Sequence, residues 1–121
     1  MSARFFKAVR AELGEDAVDL TDHTLAAYGA NRLPGGDRCP SGVLFPRTVR
    51  DVQLIVQLAN QHDVTLWPTS TGHNLGLGEF SPVRAGQAVV HLGRQMNRIV
   101  EVDETTSACS AASRWCSATA R

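Results

Sequence analysis

The segment Pro68-Thr69-Ser70-Thr71-Gly72-His73-Asn74-Leu75-Gly76-Leu77-Gly78 concentrates residue types that can hold an anion without a Lys or Arg side chain. Glycines at 72, 76 and 78 admit positive φ and let a ligand approach the backbone closely. Successive backbone N–H groups in such a turn can converge on an anion. Thr69, Ser70, Thr71 and Asn74 add short side-chain donors. The chemistry suggested is a cradle for phosphate or pyrophosphate built on dipoles. Its spacing, Gly-x3-Gly-x-Gly, is neither the Gly-x-Gly-x-x-Gly dinucleotide fingerprint nor a P-loop with its Gly-Lys-Ser/Thr. On the glycines alone, a tight turn is the simpler reading.

The flanking sequence shows what must position this loop. Val43-Leu44-Phe45, closed by Pro46, suits a short buried strand. Thr48 reads as a helix N-cap, with Asp51 three residues later in a capping-box arrangement. Val49, Val52, Val56 and Ala59 follow at helical steps, with Ile55 broadening the stripe, and Asn60–Asp63 ends the helix. Val64-Thr65-Leu66-Trp67, closed by Pro68, is a second strand. The loop leaves its carboxyl end, where ligands collect in βαβ units. Residues 88–92 and 98–102 read as two further strands. The strand–helix–strand unit is expected to cross over right-handedly.

Before this core, Phe5, Phe6, Val9 and Leu13 predict a short helix over 4–13, stopped at Gly14. A second helix is expected over His23–Tyr28, opened by Thr21 or Asp22. Pro34, Gly35, Gly36, Pro40 and Gly42 mark residues 29–42 as a connector. After Glu104 the composition shifts: residues 105–121 contain no Leu, Ile, Val, Asp or Glu, and the expectation is an atypical, poorly ordered tail. The expected division is thus a helical segment and connector over 1–42, a core over 43–104 and a tail over 105–121.

The chain has 121 residues, with 12 basic and 12 acidic side chains and no net charge. That leaves no basic surplus for neutralising phosphate backbones and speaks against a nucleic-acid partner. The longest apolar stretches are far short of the ~20 residues that span a bilayer, so no membrane partner is expected. The N-terminal stretch lacks the apolar region of a secretory signal, and the default expectation is a cytoplasmic location. Cys39, Cys109 and Cys116 fit neither a zinc pattern nor a disulfide framework and are read as free thiols. No metal ligand set is evident. His23 and His62 read as helix-end surface residues, His91 as a structural strand residue, and Glu79 and Arg84 as solvated loop charges.

Three segments together carry a more specific signal: Phe45 to Val56, Leu66 to Gly78 and Val89 to Val102. The Ser70-Thr71-Gly72-His73-Asn74-Leu75-Gly76-Leu77-Gly78 loop followed by Leu92-Gly93-Arg94-Gln95-Met96-Asn97-Arg98 resembles the vanillyl-alcohol oxidase and p-cresol methylhydroxylase flavoproteins. The likeness is to the branch that oxidises 4-substituted phenols, and to the start of its FAD-binding domain. It covers about residues 43–103, half the chain.

The resemblance implies an α+β fold, a truncated first subdomain of the p-cresol methylhydroxylase type, with a βαβ unit followed by further strands. It implies FAD as cofactor, its pyrophosphate wrapped by Thr69, Ser70, Thr71, Gly72, His73 and Asn74, with Leu75, Gly76 and Gly78 shaping the loop near the flavin. It implies oxidation of a small phenolic substrate or aromatic alcohol by hydride transfer to flavin, with electrons passing to oxygen or to a cytochrome partner. Oligomeric state is left open. Family members run to several hundred residues and carry their catalytic groups in a cap domain, so no catalytic residue is assigned in these 121 residues and the chain is expected to be inactive alone.

The sequence departs from the family pattern completely in the tail after Glu104, and at two places in the loop. Leu77 stands where an aromatic is expected. His73 stands where the phenol-oxidising branch usually has Arg or Lys, while a branch resembling berberine bridge enzyme attaches its flavin covalently to a histidine in this position. Noncovalent FAD is the expectation, with covalent attachment through His73 as the alternative. Two other readings stay open: a noncatalytic phosphate- or nucleotide-binding module, and a nonfunctional truncated product with exposed strand edges.

Overall fold

The computed structural model describes residues 2–31, 34–72, 80–103, 105 and 108–111. Helix α1 (Ser2–Leu13) buries Phe5, Phe6 and Val9 on one stripe and ends at Gly14, whose φ of 92° is the left-handed conformation that glycine adopts without strain. A single 3₁₀ turn (Glu15–Ala17) leads into the two-residue strand β1 (Val18–Asp19). Neither is signalled in the sequence, because two residues are too few to show a period.

Helix α2 (Asp22–Gly29) is capped by Thr21, whose Oγ1 accepts from the Thr24 N–H at 3.4 Å. The Asp19 carboxylate accepts from the Thr21 N–H at 2.9 Å and from the hydroxyls of Thr21 and Thr24 at 2.8 Å each. The Thr21 backbone bond leads in holding the Asp19 carboxyl below its ordinary pKa, against a smaller opposing effect of burial.

Strand β2 (Gly42–Leu44) precedes α3 (Val49–His62). The expected capping box is formed: the Asp51 N–H donates to Thr48 Oγ1 at 3.2 Å, and the Thr48 N–H donates to Asp51 Oδ2 at 3.2 Å. The buried stripe of α3 is Ile55 and Ala59, whereas Val49 and Val56 are 65% and 44% exposed. Of the stripe expected to face the core, Ile55 and Ala59 thus do so, while Val49 and Val56 face outward. Helix α1 packs against α3, and its Phe5 and Val9 share one cluster with Ile55 and Ala59.

Strands β3 (Leu66–Thr69) and β4 (Ala88–His91) complete a four-stranded sheet ordered β1-β2-β4-β3. Strand β4 lies between β2 and β3 and is parallel to both, while β1 joins β2 antiparallel. The βαβ unit is therefore not a neighbouring pair; the later strand inserts between its two strands.

Pro68 lies inside β3 rather than closing it. The Thr65 carbonyl accepts from the Ala88 N–H and the Thr69 carbonyl from the Leu92 N–H just past β4, both at 2.9 Å, so the odd-numbered residues of β3 face the ladder. Pro68 therefore places its missing donor on the outer edge, where it costs no ladder bond.

Strands β2 and β4 are buried on both faces. Leu44, Ala88 and Val90 join the cluster under α1 and α3, whereas Val43, Phe45 and Val89 join Leu25 and Tyr28 of α2 and Trp67 on the opposite face. This is the period-2 alternation of a sheet covered by helices on both sides. The β1–β2 pairing and the α1–α3 packing join residues before position 42 to residues after it.

Strands β5 (Ile99–Asp103) and β6 (Ala108–Ala111) form a separate antiparallel pair with an irregularity between Ile99 and Glu101. Strand β6 falls within the compositionally atypical residues 105–121. Its Ala, Cys and Ser side chains gave no strand pattern; pairing with β5 supplies the backbone bonds that define it.

Candidate functional site

The root of the glycine-rich loop sits at the carboxyl ends of β3 and β4. Thr69, the last residue of β3, is the register partner of His91, the last residue of β4. The Leu92 N–H donates to the Thr69 carbonyl at 2.9 Å, extending the ladder one residue past the strand. Ser70 and Thr71 then run beside Gly93: a β-carbon there would stand 2.7 Å from the Ser70 carbonyl oxygen and 2.8 Å from Thr71 Cγ2. Gly72 adopts φ 73°, and a β-carbon on it would stand 2.5 Å from Phe80 Cζ. Thus the backbone enters the loop with β4's turn behind it and the Phe80 ring beneath it.

Phe80 belongs to an aromatic cluster on the α2 face of the sheet. Its ring centroid lies 5.0 Å from those of Tyr28 and His91. Phe45 adds a ring 5.8 Å from His91, and the Arg94 guanidinium lies 4.4 Å over the Phe45 centroid.

Within the cluster Tyr28 Oη and His91 Nδ1 are 2.6 Å apart. Burial, helped by the nearby Arg94 charge, lowers the His91 pKa from its ordinary 6.5, and burial raises the Tyr28 phenol above 10. At neutral pH the phenol is the donor and Nδ1 the acceptor, which assigns the imidazole proton to Nε2. The segment after the loop is tied down as well: the buried Ser81 hydroxyl donates to the Gly29 carbonyl at the end of α2, at 3.4 Å.

Of the residues expected to hold the cofactor, Thr69, Ser70, Thr71 and Gly72 lie together at this root. His73, Asn74, Leu75, Gly76 and Gly78 lie outside the described residues, as do Leu77 and Glu79. Tyr28 was given no role by the sequence, and His91 was read only as a strand residue. They are 63 positions apart, and no local pattern links them. His62 lies edge-on to Phe5 at 6.5 Å, and His23 is exposed. Cys39 is an exposed free thiol. Among the described residues no His, Cys, Asp and Glu cluster could hold a metal ion, and no helix is long and apolar enough to cross a membrane.

A loop rich in glycine and small hydroxyl residues, leaving the carboxyl ends of parallel strands in an α+β sheet, defines a class of nucleotide-cofactor binding domain. Residues 40–115 match the family model described as an FAD binding domain. The chain belongs to this FAD-binding flavoprotein family, in its p-cresol methylhydroxylase type.

It is 36% identical over 104 residues to the flavoprotein subunit of 4-cresol dehydrogenase (hydroxylating) from Pseudomonas putida, covering 82% of this chain and 20% of that one. It is 37% identical over 86 residues to D-2-hydroxyglutarate dehydrogenase from Stutzerimonas stutzeri, covering 70% and 18%. Its fold superposes on 4-ethylphenol oxidase from Gulosibacter chungangensis with a TM-score of 0.78 at 32% identity, over 86% of this chain and 20% of that one. The chain therefore spans about a fifth of the length of the curated relatives it matches.

The described root is compatible with FAD. Gly72 has a positive φ where the loop begins, and glycine at 93 lets the turn after β4 stand directly against Ser70 and Thr71. No basic side chain is needed there if backbone dipoles meet the pyrophosphate.

Proposed function

We propose that this chain supplies the pyrophosphate cradle of an FAD-dependent oxidoreductase acting on 4-substituted phenols or aromatic alcohols. One observation carries the reading: the Thr69–Gly72 root leaves the carboxyl ends of paired parallel strands in a chain of this family. Thr69, Ser70, Thr71, Gly72, His73, Asn74, Leu75, Gly76 and Gly78 are the proposed cofactor contacts, with residues 43–104 as the cofactor-binding portion. FAD, when bound, supplies the hydride-accepting ring. This chain's own part is to bind the diphosphate and exclude water from it.

The phenolic substrate is favoured over a 2-hydroxy acid because the longer match is to the 4-cresol enzyme, over 104 residues against 86. Substrate oxidation and electron transfer to oxygen or a cytochrome are assigned to a protein of which these residues form the cofactor-binding part.

The test is an absorbance spectrum of the purified chain incubated with FAD, before and after acid precipitation. A flavin band released to the supernatant is the expected result. A band that stays with the pellet points to covalent attachment through His73. A chain that takes up no FAD, or takes up ADP with no preference for flavin, overturns the proposal.

A further inference from the structure

We propose that Tyr28 is a positioning residue for the FAD loop: its hydroxyl holds His91 and its ring backs Phe80, which together set the Thr69–Gly72 root. The inference rests on the FAD reading above and deepens it. Three observations carry it.

First, Tyr28 comes from α2, before the residues 40–115 that match the family model, yet its hydroxyl reaches across the sheet face to His91 Nδ1 at 2.6 Å. Second, His91 is the register partner of Thr69, so the bonded imidazole belongs to the residue paired with the first residue of the root. Third, the Phe80 ring centroid stands 5.0 Å from those of both Tyr28 and His91, and the ring fills the space a β-carbon on Gly72 would need. Moving Tyr28 therefore frees both walls that confine the root: His91 on the strand side and Phe80 beneath the left-handed glycine. A phenol–imidazole bond in a packed aromatic cluster has few alternative geometries, and that rigidity is what a dipole-based anion site requires of its supporting groups.

Two measurements on the 121-residue chain test this, and they fail separately. In the ligand-free chain, Y28F keeps the ring and removes only the hydroxyl. Amide hydrogen exchange at Ser70, Thr71 and Gly72 is expected to speed up by about tenfold while exchange in α3 stays unchanged, the signature of local rather than global opening. In FAD titrations Y28F is expected to raise Kd by about five- to tenfold, the order set by one hydrogen bond.

H91F, which keeps a ring and removes the acceptor, is the second variant should Y28F fold poorly. It is expected to give the same two changes, and Y28F in the H91F background should add nothing further. Unchanged exchange at 70–72 in both variants overturns the positioning role, as does uniform acceleration across α3. Faster exchange with an unchanged Kd also overturns it. A starting chain that takes up no FAD overturns the cofactor reading instead, while the exchange data still decide whether Tyr28 holds the loop.

Discussion

Gly93 presses against the backbone of Ser70 so closely that a β-carbon on it would stand 2.7 Å from the Ser70 carbonyl oxygen. A main-chain atom cannot swing aside as a side-chain tip can, so the loop root must move to admit even a methyl group. G93A is expected to cost about 1–3 kcal/mol by overpacking. It is also expected to weaken FAD binding more than tenfold, because the displaced atoms belong to the root. Chemical denaturation and FAD titration on one preparation check both; retained affinity alongside lost stability would separate Gly93 from the cofactor site.

Gly42 makes a similar close approach in the core, where a β-carbon would stand 2.5 Å from the Phe6 ring and 2.6 Å from Leu20 Cδ2. G42A is expected to destabilise the chain by about 1–3 kcal/mol. Its effect on FAD affinity should be small, because the contact lies on the α1 face of the sheet and the aromatic cluster on the α2 face. Melting curves with and without FAD read the two effects apart.

Thr48 caps α3, and T48A is expected to cost about 1 kcal/mol in urea denaturation. Burial raises the Asp51 pKa, but the Thr48 hydroxyl and the backbone N–H groups of Arg47 and Thr48 outweigh it, leaving the carboxyl below 3.8. Its contribution is therefore present above pH 3.8 and lost as pH falls through the lower native value. The acid slope of stability between pH 3.8 and that lower value should be shallower in T48A than in the original chain.

His91 gives a second and separate acid dependence. Its pKa is depressed below 6.5, chiefly by burial and then by Arg94, with the Tyr28 phenol as hydrogen-bond partner. The unfolded imidazole takes up a proton before the native one, so stability is full above pH 6.5 and declines as pH falls through the depressed native value. H91F is expected to flatten this decline. A denaturation series in which the two chains keep equal slopes below pH 6.5 would contradict it.

The elements that hold the loop were legible because each has a local cause. Thr48 and Asp51 announced a capping box that forms as expected, Phe5, Phe6 and Val9 announced the buried stripe of α1, and the strand ending in the glycine-rich loop was visible in Leu66 and Trp67. The face that α3 buries is legible in part: Ile55 and Ala59 of the expected stripe are buried, whereas Val49 and Val56 fit the same apolar period and stay exposed, because the period alone does not say which side another helix will take. Packing against α1 turned Ile55 and Ala59 inward.

By itself the sequence determined the order of the main helices and strands, the glycine-rich loop between β3 and β4 and the family to which that loop points, because caps, periods and motifs act over a few residues. Only the tertiary structure decided that β4 lies between β2 and β3, that β1 and β6 exist, and that Tyr28 meets His91. Those outcomes depend on contacts between distant residues. The burial of β2 and β4 on both faces, with β4 placed at the centre, brings Tyr28 and His91 together beside the loop root across 63 positions of chain.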